Sequence, residues 1–132
     1  MKIRTKGNRK RGGYDPDEAP DPEAWLALDE DERRNRVEDF HRAAGIRIPN
    51  AAVHAIIHTV IENQIARGLE PVKRVLARLM GEGLDRHEAL HAIGSVLAKR
   101  LHSMMKEQKG DSGEYLQAIE GLTAEEWKSW GD

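Results

Sequence analysis

The stretch NAAVHAIIHTVIENQIAR, residues 50–67, decides the fold class, because it has the features of a complete amphipathic helix. It opens with Asn50, a good capping residue, and a glycine follows its last position. With about 100° between successive residues, His54, His58 and Glu62 follow the margin of one continuous arc. That arc, which we expect to face the core, comprises Val53, Ile56, Ile57, Val60, Ile61 and Gln64.

Helix start signals recur on both sides of this stretch, and no segment alternates with the period of a strand. Aspartate followed by proline, and aspartate with glutamate three residues later, are typical of helix N-termini. We therefore predict an all-α fold, a small helical bundle of about four to five helices. The predicted helices begin near Pro22, Asp29, Asn50, Pro71 and Asp85, and shorter ones cover Tyr115 to Ile119 and follow Thr123.

The composition along the chain predicts three parts. Residues 1–20 form a flexible arm that is basic in its first half and acidic in its second, with little to bury. Residues 21–109 form the helical bundle core, and residues 110–132 form short helices that pack on the bundle. The basic run from Lys2 to Arg11 can contact phosphates, so weak nucleic-acid binding is one alternative function.

Overall composition narrows the function classes. The 132 residues are 39% hydrophobic with a formal net charge of −2, which argues against nucleic acid as the main partner. The absence of cysteine excludes disulfides, thiolate metal sites and cysteine nucleophiles. No apolar run is long enough to span a membrane or serve as a signal peptide, so we expect a cytoplasmic protein with no membrane partner. An unknown small molecule or protein is the expected partner, and a homodimer is compatible with the composition.

Two histidine pairs carry the strongest functional signal. His54 and His58 are four residues apart, and so are His87 and His91, so each pair shares one face of its helix. One helix with tight connections lies between them, which predicts that the two histidine-bearing helices run parallel with both pairs near their N-termini. We therefore expect a transition-metal site with Glu62 as a fifth ligand; zinc is the first expectation, and iron, nickel and copper are alternatives.

A metal held in this way can activate water or an oxidant, so a metal-dependent hydrolase and a redox enzyme are both open. Glu62 and Glu88 are the candidate catalytic acid/base residues, although Glu88 is also the third residue of the Asp85 capping box. His41 and His102 are isolated in the sequence, and we expect them to be surface or packing residues. The main alternative is a non-enzymatic interaction module, in which the paired histidines are structural.

The two histidine blocks also carry a resemblance. Segments that include Trp25 to Arg33, His54-x-x-x-His58-x-x-x-Glu62-Asn63-Gln64 and Arg86-His87-Glu88-Ala89-Leu90-His91 resemble a family of small uncharacterised bacterial proteins, a domain of unknown function. The resemblance covers roughly residues 22–101. It implies that the histidine blocks matter, and it implies no activity for them.

Overall fold

A computed structural model describes residues 13–45, 50–107 and 112–130. Within these residues every regular element is a helix and there is no strand, which confirms the predicted all-α class. None of the described helices has the length and apolar composition needed to cross a membrane. The helices are α1 (Pro22–Ala27), α2 (Glu30–Ala43), α3 (Ala51–Ala66), α4 (Glu70–Gly81), α5 (Arg86–Glu107), α6 (Ser112–Glu120) and α7 (Ala124–Ser129).

The predicted helix starts near Pro22 and Asp29 are confirmed by their capping contacts. The Asp21 carboxylate accepts the Ala24 N–H at 3.0 Å, and the Asp29 carboxylate accepts the Glu32 N–H at 2.8 Å. Such bonds satisfy N–H groups that have no partner inside the helix. Asn50 caps α3 with its backbone in the left-handed region, at φ 58°, a conformation that asparagine tolerates better than most residues.

The chain divides into two compact units, residues 1–67 and 68–132. The boundary falls at Gly68, inside the segment 21–109 that the composition predicts to be one core. Gly68 has φ 79°, which ends α3 in a conformation that glycine adopts without strain. The first unit contains α1 to α3, with α3 packed against α1 and α2, and the second contains α4 to α7, with α5 packed against the other three.

The inward face of α3 differs from the predicted one. Val53 and Ile56 were expected in the core, yet they are 48% and 45% exposed. The buried residues of α3 are Ala55, His58, Thr59, Ile61, Glu62 and Asn63. The helix is therefore turned so that most of the polar margin points inward, because the partners of these polar groups lie on α1, α2 and the segment before α1.

Two residues of the predicted flexible arm, Tyr14 and Pro16, are packed in the first unit. Tyr14 is only 4% exposed and forms a hydrophobic cluster with Trp25, Val37 and Ala55, and Pro16 is also buried. The composition of residues 1–20 does not reveal these two buried positions, because a mostly polar segment contains one aromatic side chain that fits a site on the first unit. Residues 1–12 lie outside the described part of the chain.

The second unit has a more conventional apolar interior. Arg78 donates to the carbonyl oxygens of Ile119 and Glu120, and the Glu82 carboxylate accepts the Ala124 N–H at 2.8 Å, so α4 holds the ends of α6 and α7. The fully buried side chains of this unit include Val72, Val75, Leu79, Leu90, Ile93 and Ile119.

Candidate metal centre

Three histidines of the first unit converge where α2 ends and α3 begins. His41 lies in the last turn of α2, and His54 and His58 occupy the first half of α3. One ring nitrogen of each lies within 4.8 Å of a ring nitrogen of each of the others. His41 and His58 are buried and His54 is half-buried. These residues can hold a metal ion.

The His41 ring is held by its own helix. Its Nδ1 is 2.8 Å from the carbonyl oxygen of Val37, and because a carbonyl only accepts, Nδ1 carries the hydrogen. The lone pair of the neutral ring is then on Nε2, which faces Nε2 of His54 at 3.3 Å. Metal-binding histidines commonly donate their second ring N–H to a backbone carbonyl in this way.

The separation of these two nitrogens suits a shared ion. Two nitrogens bound tetrahedrally to one zinc ion at about 2.0–2.1 Å lie about 3.3–3.4 Å apart. The observed 3.3 Å between His41 Nε2 and His54 Nε2 matches this value.

His58 is oriented by a buried tyrosine and a buried carboxylate. The Tyr14 hydroxyl donates its single hydrogen to Glu62 Oε2, and its oxygen lies 2.9 Å from His58 Nε2. The hydroxyl can only accept from this ring nitrogen, so we assign the hydrogen of His58 to Nε2. The lone pair is then on Nδ1, an atom that is itself buried. Glu62, predicted as a ligand or catalytic acid, is thus connected to the centre through Tyr14.

A second polar network fixes the three helices around the centre. Arg33 is 6% exposed and donates to the carbonyl oxygens of Trp25, Leu26 and Leu28 at the end of α1. It also donates to Asn63 Oδ1 on α3 at 3.1 Å, and the same oxygen accepts the Trp25 indole N–H at 2.9 Å. Arg33 therefore donates to the carbonyl groups at the end of this short helix, while linking α2 to α3.

Burial keeps two of the three imidazoles in the form that binds metals. Desolvation lowers the pKa of His41, opposed by its hydrogen bond to Val37. Desolvation, with repulsion from His41, lowers the pKa of His54 to about 4. Both rings are therefore neutral at pH 7, and a metal need not displace a proton from either of them.

This pKa shift predicts how the metal-free protein responds to acid. Between pH 6.5, the ordinary value, and the folded-state value of about 4, the unfolded chain protonates at position 54 while the folded one does not. The free energy of unfolding therefore falls as pH is lowered through this window and levels off below it. Urea titrations across this pH window should show a larger decrease in the free energy of unfolding for wild type than for His54→Gln. Equal decreases would contradict the lowered pKa of His54.

His87 and His91 lie in the first two turns of α5, in the second unit. Their ring centroids are 4.2 Å apart, so they do share a face as predicted. Glu88 is exposed, and its carboxylate accepts the Asp85 N–H at 2.9 Å while Asp85 accepts the Glu88 N–H at 2.8 Å. The capping box is confirmed. The convergence of the two histidine pairs on one ion, and a catalytic role for Glu88, stay predictions.

Sequence reasoning missed His41 and Tyr14. His41 was expected on the surface or in packing because no histidine lies one turn away on its own helix. One signal available in the sequence was the spacing of Arg33, Val37 and His41, since residues four apart share one helix face. In the structure all three side chains on this face are buried. Tyr14 gave no such signal, because it precedes the first helix. His102 is exposed, as expected.

No protein-family model, curated protein or solved structure matches the chain. The resemblance to uncharacterised bacterial proteins stays a prediction. The function of the chain is therefore inferred from the chemistry of the residues that the fold brings together.

Proposed function

We propose that the first unit binds one transition-metal ion through His41, His54 and His58. The observation that carries this proposal is the approach of three imidazole nitrogens within 4.8 Å of one another. Two of them, His41 Nε2 and His54 Nε2, are at the separation expected for a shared tetrahedral ion. His41, absent from the predicted ligand set, takes a central place in this site.

The surroundings of the three rings favour a metal over a purely structural cluster. The hydrogen-bond partners of His41 and His58 leave Nε2 and Nδ1, respectively, with the lone pairs. Glu62 is 1% exposed, and its carboxylate lies one hydroxyl group away from His58.

Three nitrogen ligands from the first unit fill three positions of a tetrahedral ion, and a further predicted ligand, a water or a substrate can take the fourth. Structural zinc sites use four protein ligands, whereas catalytic sites with three keep a position for water or substrate. Zinc is our first choice of ion because imidazole is a common zinc ligand, and iron, nickel and copper bind the same ligand type. An ion in this position can activate water for hydrolysis or take part in redox chemistry, the two activities that the sequence predicts. His87 and His91 stay predicted additional ligands.

Elemental analysis of the full chain, purified without chelators and then equilibrated with zinc, tests the proposal. We expect about one zinc ion per chain in wild type and in His102→Ala, which removes an exposed histidine. His41→Ala should lose most of the bound metal. Retention of metal in His41→Ala would refute the ligand set proposed here.

The same measurement decides the alternative function. If wild type takes up neither zinc, nickel, iron nor copper, the histidines form a structural hydrogen-bonded network, as expected for a non-enzymatic interaction module. His91→Ala tests the predicted contribution of the second pair, with His102→Ala again as the control on the same helix.

A further inference from the structure

A cleft in the second unit combines two cationic side chains of α5 with an exposed aromatic ring. It has a volume of about 560 Å³, within the usual range for small-molecule sites. We call it the α5–α7 cleft. Its lining residues used below are Lys99, Arg100 and Ser103 on α5, Gln117 on α6, and Glu126 and Trp130 at α7.

The positive charge comes from adjacent positions of α5. Among the described residues, neither Lys99 nor Arg100 forms a salt bridge or a hydrogen bond with a carboxylate, although most other arginines there do. The Lys99 ammonium lies 4.5 Å from the centroid of the Trp130 ring. This cation–π contact holds the charge at the cleft wall without neutralising it.

The rest of the wall fits a planar group. Val96 and Leu122 are 7% and 2% exposed and supply an apolar floor. Trp130 is 41% exposed, so part of its ring surface is available to a ligand. Aromatic surfaces of this kind stack against heterocyclic rings. Ser103 and Gln117 add hydrogen-bonding groups at the rim.

We propose that the α5–α7 cleft binds a small ligand that joins a heterocyclic ring to a phosphate, such as a nucleoside monophosphate. The Arg100 guanidinium and the Lys99 ammonium hold the phosphate, the first by paired N–H donors and the second as a point charge. The ring packs on Trp130 and the apolar floor. This proposal does not depend on the metal centre.

The carboxylate of Glu126 and the guanidinium of Arg100 allow a test in which two substitutions should change the affinity in opposite directions. Glu126 is the acidic residue of the cleft wall, and its backbone N–H bonds the Thr123 side chain, so Glu126→Gln keeps the helix cap. Removing its charge should strengthen the binding of a phosphate. Removing the charge of Arg100 should weaken it.

Isothermal titration of the full chain with adenosine monophosphate, adenosine and inorganic phosphate tests the cleft. We expect one monophosphate per chain, bound about tenfold or more tighter than either fragment, because only it uses both halves of the cleft. Arg100→Gln should weaken this binding about tenfold, and Glu126→Gln should strengthen it about two- to fivefold. Lys106→Gln, the same charge change at an exposed position of α5, should have little effect.

Two results would overturn the proposal. Equal and weak binding of all three probes would show that the cleft does not select a joined ring and phosphate. Equal effects of Arg100→Gln and Lys106→Gln would show only general attraction of anions to this helix. Circular dichroism of each variant checks that the helices are retained.

Discussion

Replacing Arg33 with methionine should lower the free energy of unfolding by about 3–5 kcal/mol, the cost of removing one partner from a buried charged network. Methionine retains the apolar stem, so the loss comes from the guanidinium. Its donors serve the carbonyl oxygens of Trp25, Leu26 and Leu28 and the side-chain oxygen of Asn63. Buried carbonyls that lose a charged donor are left without compensation for their lost hydration. Urea unfolding followed by circular dichroism measures the change.

The neighbouring Arg34 provides a matched control. It pairs with Asp31 near the surface, and the aspartate side chain is 78% exposed. Exposed ion pairs contribute little, so Arg34→Met should change the free energy of unfolding by less than about 1 kcal/mol. If the two variants unfold at the same urea concentration, Arg33 does not hold the end of α1 as described.

Truncating Tyr14 is the second change with a large expected effect. Tyr14→Ala should lower the free energy of unfolding by about 3–5 kcal/mol, the range for losing a buried aromatic side chain. Its ring lies 5.5 Å from both the Trp25 and the His58 rings, measured between centroids, and 6.4 Å from the Phe40 ring. Thermal and urea unfolding of the metal-free chain measure the change.

Tyr14→Phe separates the hydroxyl from the ring. It keeps the aromatic contacts and removes the hydroxyl with its bonds to Glu62 and His58, so we expect a loss of about 1–3 kcal/mol in the free energy of unfolding. A Tyr14→Ala protein as stable as wild type would contradict the packing described here. Residues 13–20 would then belong to the flexible arm that their composition predicts.

The helix starts were predictable because capping is local. Asp21, Asp29 and Asp85 each bond an N–H three residues ahead, so the whole interaction lies within one turn and is visible in the sequence. The all-α class followed from the same local signals, together with the lack of any strand period.

The inward face of α3 was not predictable from periodicity alone. Apolar periodicity assumes that the interior is apolar, and Val53 and Ile56 satisfied that assumption while lying outside. The orientation of α3 is set by hydrogen bonds to residues distant in the sequence. Glu62 bonds Tyr14, and Asn63 bonds Trp25. These partners are 48 and 38 residues away, beyond any helical repeat.

The candidate site was partly predictable, because part of it lies within a single helix. His54 and His58 are one turn apart on one helix, so their shared face follows from spacing. His41 joins them through the packing of α2 on α3, which the sequence does not show. A histidine without a neighbour one turn away is therefore not excluded from a cluster.

The polar interior of the first unit also has a calorimetric consequence. Unfolding raises the heat capacity in proportion to the apolar surface that water gains, and exposure of polar surface lowers it. The first unit buries Arg33, His41, His58, Thr59, Glu62 and Asn63 beside its apolar side chains. Its unfolding heat capacity per residue should therefore be small, and its stability should vary only gently between cold and warm conditions.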